Sequence, residues 1–212
     1  MIVRSVATLC KRGGDFFICV QRVTLEEIMN RLKFFKTFLK DIKVASVTPT
    51  SKHAVKKISS KIDFTKPGMV VVEYGPGEGV VSKELLKRLP ADGKLILIER
   101  NAALADHLRK VFTDHRVTVF TASAEKVDEL VASLGISHVD AIMSSIPFTM
   151  IPKAAAQELV EKSAKLLGGT GVFVMFQFNP RAKKFLKKSF GHIDSGLVLM
   201  NIPPLLTWRA RA

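Results

Sequence analysis

Cysteine is scarce in this sequence: only two of its 212 residues, Cys10 and Cys19, are cysteines. Two cysteines provide neither a disulfide framework nor the ligand spacing of a structural zinc site. The five histidines are scattered along the chain and form no metal-binding pattern. We therefore predict free thiols in a reducing compartment and no bound metal.

Long apolar runs are also missing. No segment reaches the ~18 consecutive apolar residues that suggest a membrane-spanning helix. Residues 1–10 are mildly apolar, but Arg4 interrupts them, and they lack the apolar core and cleavage site of a signal peptide. We expect a cytoplasmic protein that is either soluble or peripherally attached to the inner face of the cytoplasmic membrane.

Acidic residues are few in comparison with basic ones, at 19 against 33, which gives a formal net charge of +14. Such an excess is typical of proteins that bind an anionic partner, either nucleic acid or an anionic membrane surface. The hydrophobic fraction of 47% and the charged fraction of 25% exclude a disordered chain, because they allow a sizeable core.

The N-terminal part of the chain divides into a tail and a basic region. Residues 1–24 show no clear periodicity and are interrupted by Gly13-Gly14, so we interpret them as a tail that need not be ordered. Alternatively, translation begins at Met29 and these residues are not native. Residues 25–62 are predicted to form basic amphipathic helices.

In the first of these helices, residues 25–43, apolar residues recur every three or four positions and basic residues occupy much of the remaining surface. Such a helix can lie in the interface of an anionic membrane, or it can pack on the domain with its basic face solvated. The residues that we expect at a membrane surface are Arg31, Lys33, Phe34, Phe35, Lys36, Phe38 and Lys40.

From residue 63 onward, strands and helices alternate. Apolar runs such as residues 69–74 and 94–99 are separated by amphipathic segments such as residues 80–89. This alternation is typical of a mostly parallel sheet with helices on both faces. We therefore predict an α/β, Rossmann-like domain over residues 63–212. A turn at residues 48–51 precedes it and caps a second short basic helix.

The most informative motif follows the first strand of that domain. Glu73-Tyr74 ends the strand, and Gly75-Pro76-Gly77-Glu78-Gly79 leads directly into a helix. Glycines allow the backbone to approach a ligand closely, and a helix N-terminus offers free N–H groups. The loop lacks the Lys-Ser/Thr pair of phosphate-binding loops. Glu99 ends the next strand, about twenty residues further on, where an acid can accept hydrogen bonds from ribose hydroxyls.

These residues resemble the E-x-G-x-G-x-G motif and the second-strand acid of class I S-adenosylmethionine-dependent methyltransferases. The resemblance extends over residues 45–212. It implies a mostly parallel seven-stranded sheet and S-adenosylmethionine as the cofactor. The glycines would surround the methionine portion, Glu73 would lie near its ammonium group, and Glu99 would bind the ribose.

By the same resemblance, Ser123 and Ala124 would lie beside the adenine. Many relatives carry an aspartate where Ser123 stands, so a backbone contact is expected there. The residues predicted at the cofactor are Glu73, Gly75, Pro76, Gly77, Gly79, Glu99, Arg100, Ser123, Ala124, Glu125 and Ser144.

The end of the fourth strand of the domain is the expected entry point of the methyl acceptor. Ser145-Ile146-Pro147-Phe148 resembles the N-[LI]-P-[FY] motif of rRNA adenine dimethylases, in which the asparagine and a carbonyl orient an amine and the aromatic ring stacks on the base. Ser145 replaces that asparagine, and a hydroxyl is a poorer partner for a planar amine. The residues predicted at the acceptor are Ser144, Ser145, Pro147, Phe148 and Tyr74.

The bacterial phospholipid N-methyltransferases are a closer resemblance. They share the serine-type motif, a basic N-terminal helix, a turn like Pro49-Thr50-Ser51 and an ending like Asn201-Ile202-Pro203-Pro204. Because the sequence ends at Ala212, shortly after its last predicted strand, we also expect it to lack the helical domain that rRNA dimethylases carry at this point.

This second resemblance implies N-methylation of an amine lipid, chiefly phosphatidylethanolamine, with an ornithine lipid as another acceptor. It also implies a protein that binds an anionic membrane. The sequence does not determine the oligomeric state, and we expect a monomer in solution. The alternatives are an RNA or small-molecule methyltransferase, and a binding module that has lost its activity.

Overall fold

The computed structural model describes residues 2–12, 15–24, 50–198, 201 and 204–211. The chain divides into two compact units, Met1–Thr48 and Pro49–Ala212. The predicted amphipathic helix at residues 25–43 lies outside the described residues, together with the basic and aromatic residues expected at a membrane surface.

In the first unit, the residues expected to form a tail form a β-hairpin. Strands β1 (Ile2–Arg12) and β2 (Asp15–Thr24) pair in antiparallel fashion, with Arg12 opposite Asp15. Both segments are rich in β-branched or aromatic residues, and the Gly13-Gly14 pair between them is a typical hairpin connection. The expectation of a tail is therefore wrong, because residues 2–12 and 15–24 pair as strands.

The second unit alternates helices and strands, as predicted. Its helices are α1 (Lys52–Ser59), α2 (Val80–Arg88), α3 (Ala102–Val111), α4 (Val127–Ala132), α5 (Lys153–Leu167) and α6 (Lys183–Leu186). Its strands are β3 (Val70–Tyr74), β4 (Lys94–Glu99), β5 (Val117–Thr121), β6 (Ala141–Ser144), β7 (Val172–Gln177), β8 (His192–Val198) and β9 (Leu205–Arg211). Short 3-10 helices precede α4, α5 and α6 at Ala124–Lys126, Phe148–Met150 and Pro180–Ala182.

The seven strands of this unit form one sheet in the order β5-β4-β3-β6-β7-β9-β8. The strands from β5 to β7 are parallel, and β9 runs antiparallel to both of its neighbours. The predicted mostly parallel, seven-stranded, Rossmann-like sheet is therefore confirmed.

Two hydrophobic clusters cover the two faces of the sheet. Alternate residues of each central strand belong to different clusters, as Val72 and Val71 of β3 do. Buried residues of α4 and α5 belong to one cluster, and buried residues of α1, α2 and α3 to the other. Alternation along a strand sends successive side chains to opposite faces, so helices on both faces follow from the apolar strands.

Helix α1 is part of this second unit. The Ser51 hydroxyl accepts a hydrogen bond from the Ala54 N–H at 3.1 Å, which caps the helix where a new N-cap was predicted. Ala54 and Ile58 are fully buried in the cluster beneath α2. The compact unit accordingly begins at Pro49 rather than at residue 63.

Candidate cofactor and acceptor site

The predicted site residues lie at the carboxyl ends of β3, β4 and β6 and in the loops that follow β3, β4, β5 and β6. In a parallel sheet the carboxyl ends of the strands share one edge, and ligands of open α/β sheets bind there. The glycine loop follows β3, and Glu99 ends β4. The acceptor motif follows β6, directly beside β3. The fold thus brings the two predicted motifs to adjacent positions on one edge.

The glycine loop has the backbone geometry that its sequence predicts. Gly75, Gly77 and Gly79 have φ angles of 65°, 59° and 77°, in the left-handed region that side chains rarely adopt. A Cβ atom on Gly79 would lie 2.6 Å from Cε2 of Phe112, so only glycine fits there. A Cβ atom on Gly77 would meet nothing within 4 Å, so its backbone borders open space that a ligand can fill.

Glu99 connects the second strand to this loop. The residue is 7% exposed, and its Oε2 accepts a hydrogen bond from the Gly77 N–H at 3.1 Å. Oε1 accepts a second bond, from the Asn101 N–H at 2.9 Å. A carboxylate has roughly four lone-pair sites, so each oxygen retains capacity for a hydroxyl group. Glu99 can therefore hold the glycine loop and bind a ribose at the same time.

Glu73, two residues before Gly75, carries a buried carboxyl group. It is fully buried, and its Oε2 accepts a hydrogen bond from the Ser82 hydroxyl at 2.6 Å. Its Oε1 has no partner among the described residues. Burial raises the pKa of Glu73 to about 8; the Ser82 bond opposes this shift and the nearby charge of Glu99 adds to it. A cationic ligand group would provide the missing partner.

The residues predicted at the adenine lie after β5. Ser123 is half-buried, and its hydroxyl accepts a long hydrogen bond from the Glu125 N–H at 3.4 Å, capping a short 3-10 helix. Ala124 is buried, whereas Glu125 and Arg100 are exposed at the same edge of the sheet. Their contact with an adenine stays a prediction.

Among the residues that the structure describes, no group of three His, Cys, Asp or Glu side chains could hold a metal ion. Within the same residues, no helix is long and apolar enough to cross a membrane.

The chain is similar to known methyltransferases in sequence and in fold. The family model of ribosomal RNA adenine dimethylase matches residues 31–128. An ornithine lipid N-methyltransferase of Singulisphaera acidiphila is 25% identical over 81% of this chain and 88% of the relative.

Solved structures share the fold. A SAM-dependent methyltransferase from Aquifex aeolicus has a TM-score of 0.55 at 16% identity, covering 85% of this chain and 97% of that chain. Human methyltransferase-like protein 13, crystallised with S-adenosylhomocysteine (SAH), has a TM-score of 0.60 at 15% identity. The likeness covers 76% of this chain and 82% of that chain.

The glycine loop, the sequence likenesses and the shared fold agree with one another. The chain is an S-adenosylmethionine-dependent methyltransferase with a Rossmann-like fold. When bound, S-adenosylmethionine supplies an electrophilic methyl group. The residues present fit it, because Glu73 offers a buried, unpartnered oxygen and Gly77 borders open space.

On the acceptor side of this methyltransferase, the motif after β6 forms a tight turn against β3. The Ser145 N–H donates to the Tyr74 carbonyl at 3.0 Å, and Ser145 and Pro147 are half-buried. Ser144 is fully buried, and its hydroxyl has no partner among the described residues. These residues form the part of the predicted acceptor site that lies beside the glycine loop.

The prediction that Tyr74 contacts the cofactor or substrate is wrong. Tyr74 is fully buried, and its hydroxyl lies 3.0 Å from the hydroxyl of Ser163 on α5. The Ser163 hydroxyl donates to the Leu159 carbonyl at 2.6 Å, so Tyr74 is the donor to Ser163. Burial raises the pKa of Tyr74 above its usual value. Tyr74 follows Glu73 in β3, and successive side chains of a strand point to opposite faces of the sheet. The Tyr74 side chain therefore enters the core instead of the site.

The expected role of Phe148 also needs correction. Phe148 is fully buried, and its ring packs against Phe185 with centroids 5.9 Å apart. The ring is therefore a core residue of this structure and presents no face to a ligand.

Two residues beside the site were not predicted. Gln177, the last residue of β7, is 6% exposed and donates from Nε2 to the Ile146 carbonyl at 2.7 Å. Asn201, which was singled out only as part of a C-terminal motif, accepts the Ser51 N–H at 3.0 Å. A polar residue closing an otherwise apolar strand was the available sequence signal for Gln177.

Proposed function

We propose that this methyltransferase N-methylates the primary amine of a membrane lipid. Phosphatidylethanolamine, favoured by the sequence resemblance, and ornithine lipid, the substrate in the name of the Singulisphaera relative, are the two acceptors. The observation that carries the proposal is Ser145, since the RNA dimethylases that share the core have an asparagine at this position of the motif. The coverage of 88% of the lipid methyltransferase supports it further.

The residues of the acceptor turn would act by orientation. A lipid amine must be neutral to attack, with its lone pair directed at the methyl group, so its N–H groups are available for protein acceptors. The Ser145 hydroxyl and the carbonyl groups of the turn would accept these hydrogen bonds. Holding two reactants in the correct geometry lowers a barrier by about 7–11 kcal/mol. This effect alone is sufficient for a large part of the catalysis.

The partner surface is proposed to be an anionic membrane. The net charge of +14 favours it, and so does the predicted amphipathic pattern of residues 25–43. Basic residues near an anionic leaflet contribute about 1 kcal/mol each before screening, so several of them suffice for reversible attachment.

The test is a transfer assay with methyl-labelled S-adenosylmethionine and the full chain. Vesicles contain an anionic lipid together with phosphatidylethanolamine or ornithine lipid. Phosphatidylcholine replaces these amine lipids in the control, because its quaternary nitrogen has no lone pair to attack the methyl group. We expect label in one or both amine lipids and none in phosphatidylcholine. With Glu99→Ala, transfer at limiting cofactor should fall by about tenfold or more. No label in any amine lipid would falsify the proposal.

A second candidate is methylation of RNA, which the match to the ribosomal RNA adenine dimethylase model favours. The same assay with ribosomal RNA in place of vesicles distinguishes the two. If the RNA becomes labelled and the lipids of the vesicles do not, this alternative is established. The basic charge of the chain would then serve the phosphate backbone.

A further inference from the structure

Gln177 is a buried polar residue at the acceptor edge that no step described above uses. Its Nε2 donates to the Ile146 carbonyl at 2.7 Å, within the acceptor turn. A carbonyl accepts hydrogen bonds and does not donate them, so this contact fixes the orientation of the amide. The NH₂ group faces the turn, and Oε1 is left as an acceptor.

The amide oxygen is available to a ligand. Among the described residues, none donates a hydrogen bond to Oε1 of Gln177. The buried side-chain atoms without a partner among the described residues do not include Oε1 of Gln177. Because this oxygen accepts no hydrogen bond from those residues, it must be accessible. The side chain as a whole is nearly buried, yet this oxygen reaches accessible space.

This side chain carries the kind of group that the acceptor motif lacks, a planar amide that contacts the acceptor turn. In the rRNA dimethylase motif an asparagine amide stands where this chain has Ser145. Strand β7 lies directly beside β6, with Ser144 paired to Met175, and Gln177 is the strand residue that extends past this pair. A planar amide thus reaches the acceptor turn from the neighbouring strand.

We propose that Gln177 recognises the acceptor amine: its Oε1 accepts one N–H, while its Nε2 holds the Ile146 turn so that a second acceptor faces the other N–H. This inference rests on the proposed function, since it concerns an amine acceptor. Gln177 thereby makes the acceptor site selective for nitrogen that still carries hydrogen.

The number of N–H groups gives the proposal a measurable consequence. A neutral primary amine has two N–H groups besides its lone pair, a monomethylated amine has one, and a dimethylated amine has none. Loss of the Gln177 oxygen should therefore matter most in the first transfer and least in the third. A residue that only supported the turn would affect all transfers equally.

The experiment measures kcat/KM for Gln177→Met, which keeps the length of the side chain and removes the amide. The acceptors are phosphatidylethanolamine or ornithine lipid, whichever the wild type accepts, and its mono- and dimethylated forms in anionic vesicles. Gln157→Met is the matched control, because Gln157 donates to Glu161 on the exposed side of α5. The SAH affinity and the thermal stability of each variant show whether it is folded.

We expect Gln177→Met to lower kcat/KM by about tenfold or more on the primary amine, the effect of one lost hydrogen bond. The loss should be smaller on the monomethylated form and smallest on the dimethylated form, where only the lost bond to the Ile146 carbonyl still matters, at unchanged SAH affinity. Gln157→Met should resemble the wild type throughout.

Equal losses on all acceptors, or no loss on the primary amine, would overturn the inference. If Gln177→Met does not bind SAH, Gln177→Leu replaces it, with the same expected gradient. If the wild type methylates no amine lipid, the proposed function fails and this inference fails with it. An active wild type without the gradient refutes this inference alone.

Discussion

Substitution of Glu73 by Gln should change how the stability of this methyltransferase depends on pH. The carboxyl group is fully buried, and its pKa is raised from 4.5 to about 8. A raised carboxyl pKa means that its contribution to stability is fully present below pH 4.5 and is lost as the pH rises through about 8. Glutamine has nearly the same shape and does not titrate.

The magnitude follows from the two pKa values. At 1.36 kcal/mol for each pKa unit, raising the pH from 4.5 to 7 costs the wild type about 3 kcal/mol of unfolding free energy relative to Glu73→Gln. For a chain of this size this is roughly 6–12 °C in melting temperature. Denaturant unfolding of both proteins without cofactor, from pH 5 to 8, measures the difference. If the difference in unfolding free energy between the wild type and Glu73→Gln does not vary with pH, the carboxyl group of Glu73 is not buried and protonated as we infer.

The same group should couple cofactor binding to protons. An ammonium group placed against Glu73 favours the ionised form, so binding of SAH at pH 7 should release about 0.9 proton from a carboxyl of pKa about 8. Calorimetry in buffers of different ionisation enthalpy measures this release, and Glu73→Gln should show none. Equal proton release by both proteins would place the ammonium group elsewhere.

Three further substitutions separate binding roles from structural ones. Gly79→Ala should destabilise the fold by about 3 kcal/mol, from backbone strain and displacement of the Phe112 ring, whereas Gly77→Ala should cost only about 1 kcal/mol; denaturant titration compares them. Glu99→Ala should weaken SAH binding by about tenfold or more in calorimetry, and unchanged affinity would contradict the ribose assignment. Tyr74→Phe should lower stability by about 1 kcal/mol with kcat/KM unchanged, and a selective loss of activity would reinstate Tyr74 in the site.

The fold and the cofactor site were largely predictable from local patterns. Apolar strands alternate with amphipathic helices, and that alternation determines a parallel sheet with helices on both faces. The conformation of the glycine loop could also be predicted locally. Gly75, Gly77 and Gly79 have left-handed backbone, which glycine adopts more readily than any other residue. Glu99 followed from its position at the end of the next strand.

The errors concern side-chain direction and long-range contacts. Tyr74 adjoins the glycine loop in sequence, but alternation along β3 sends it to Ser163, far along the chain. The contact between Gln177 and Ile146 depends on β6 and β7 being neighbours, which no local pattern specifies. The N-terminal hairpin was missed for a different reason, because its glycine pair was not recognised as a two-residue connection.

The most direct test of a lipid methyltransferase is the lipid composition of a host that makes no methylated amine lipids. Expression of the wild-type chain should produce N-methylated derivatives of phosphatidylethanolamine or ornithine lipid, and Glu99→Ala at equal abundance should produce less of them. An unchanged lipid profile, together with newly methylated adenines in the ribosomal RNA of the host, would contradict the account and assign the protein to RNA.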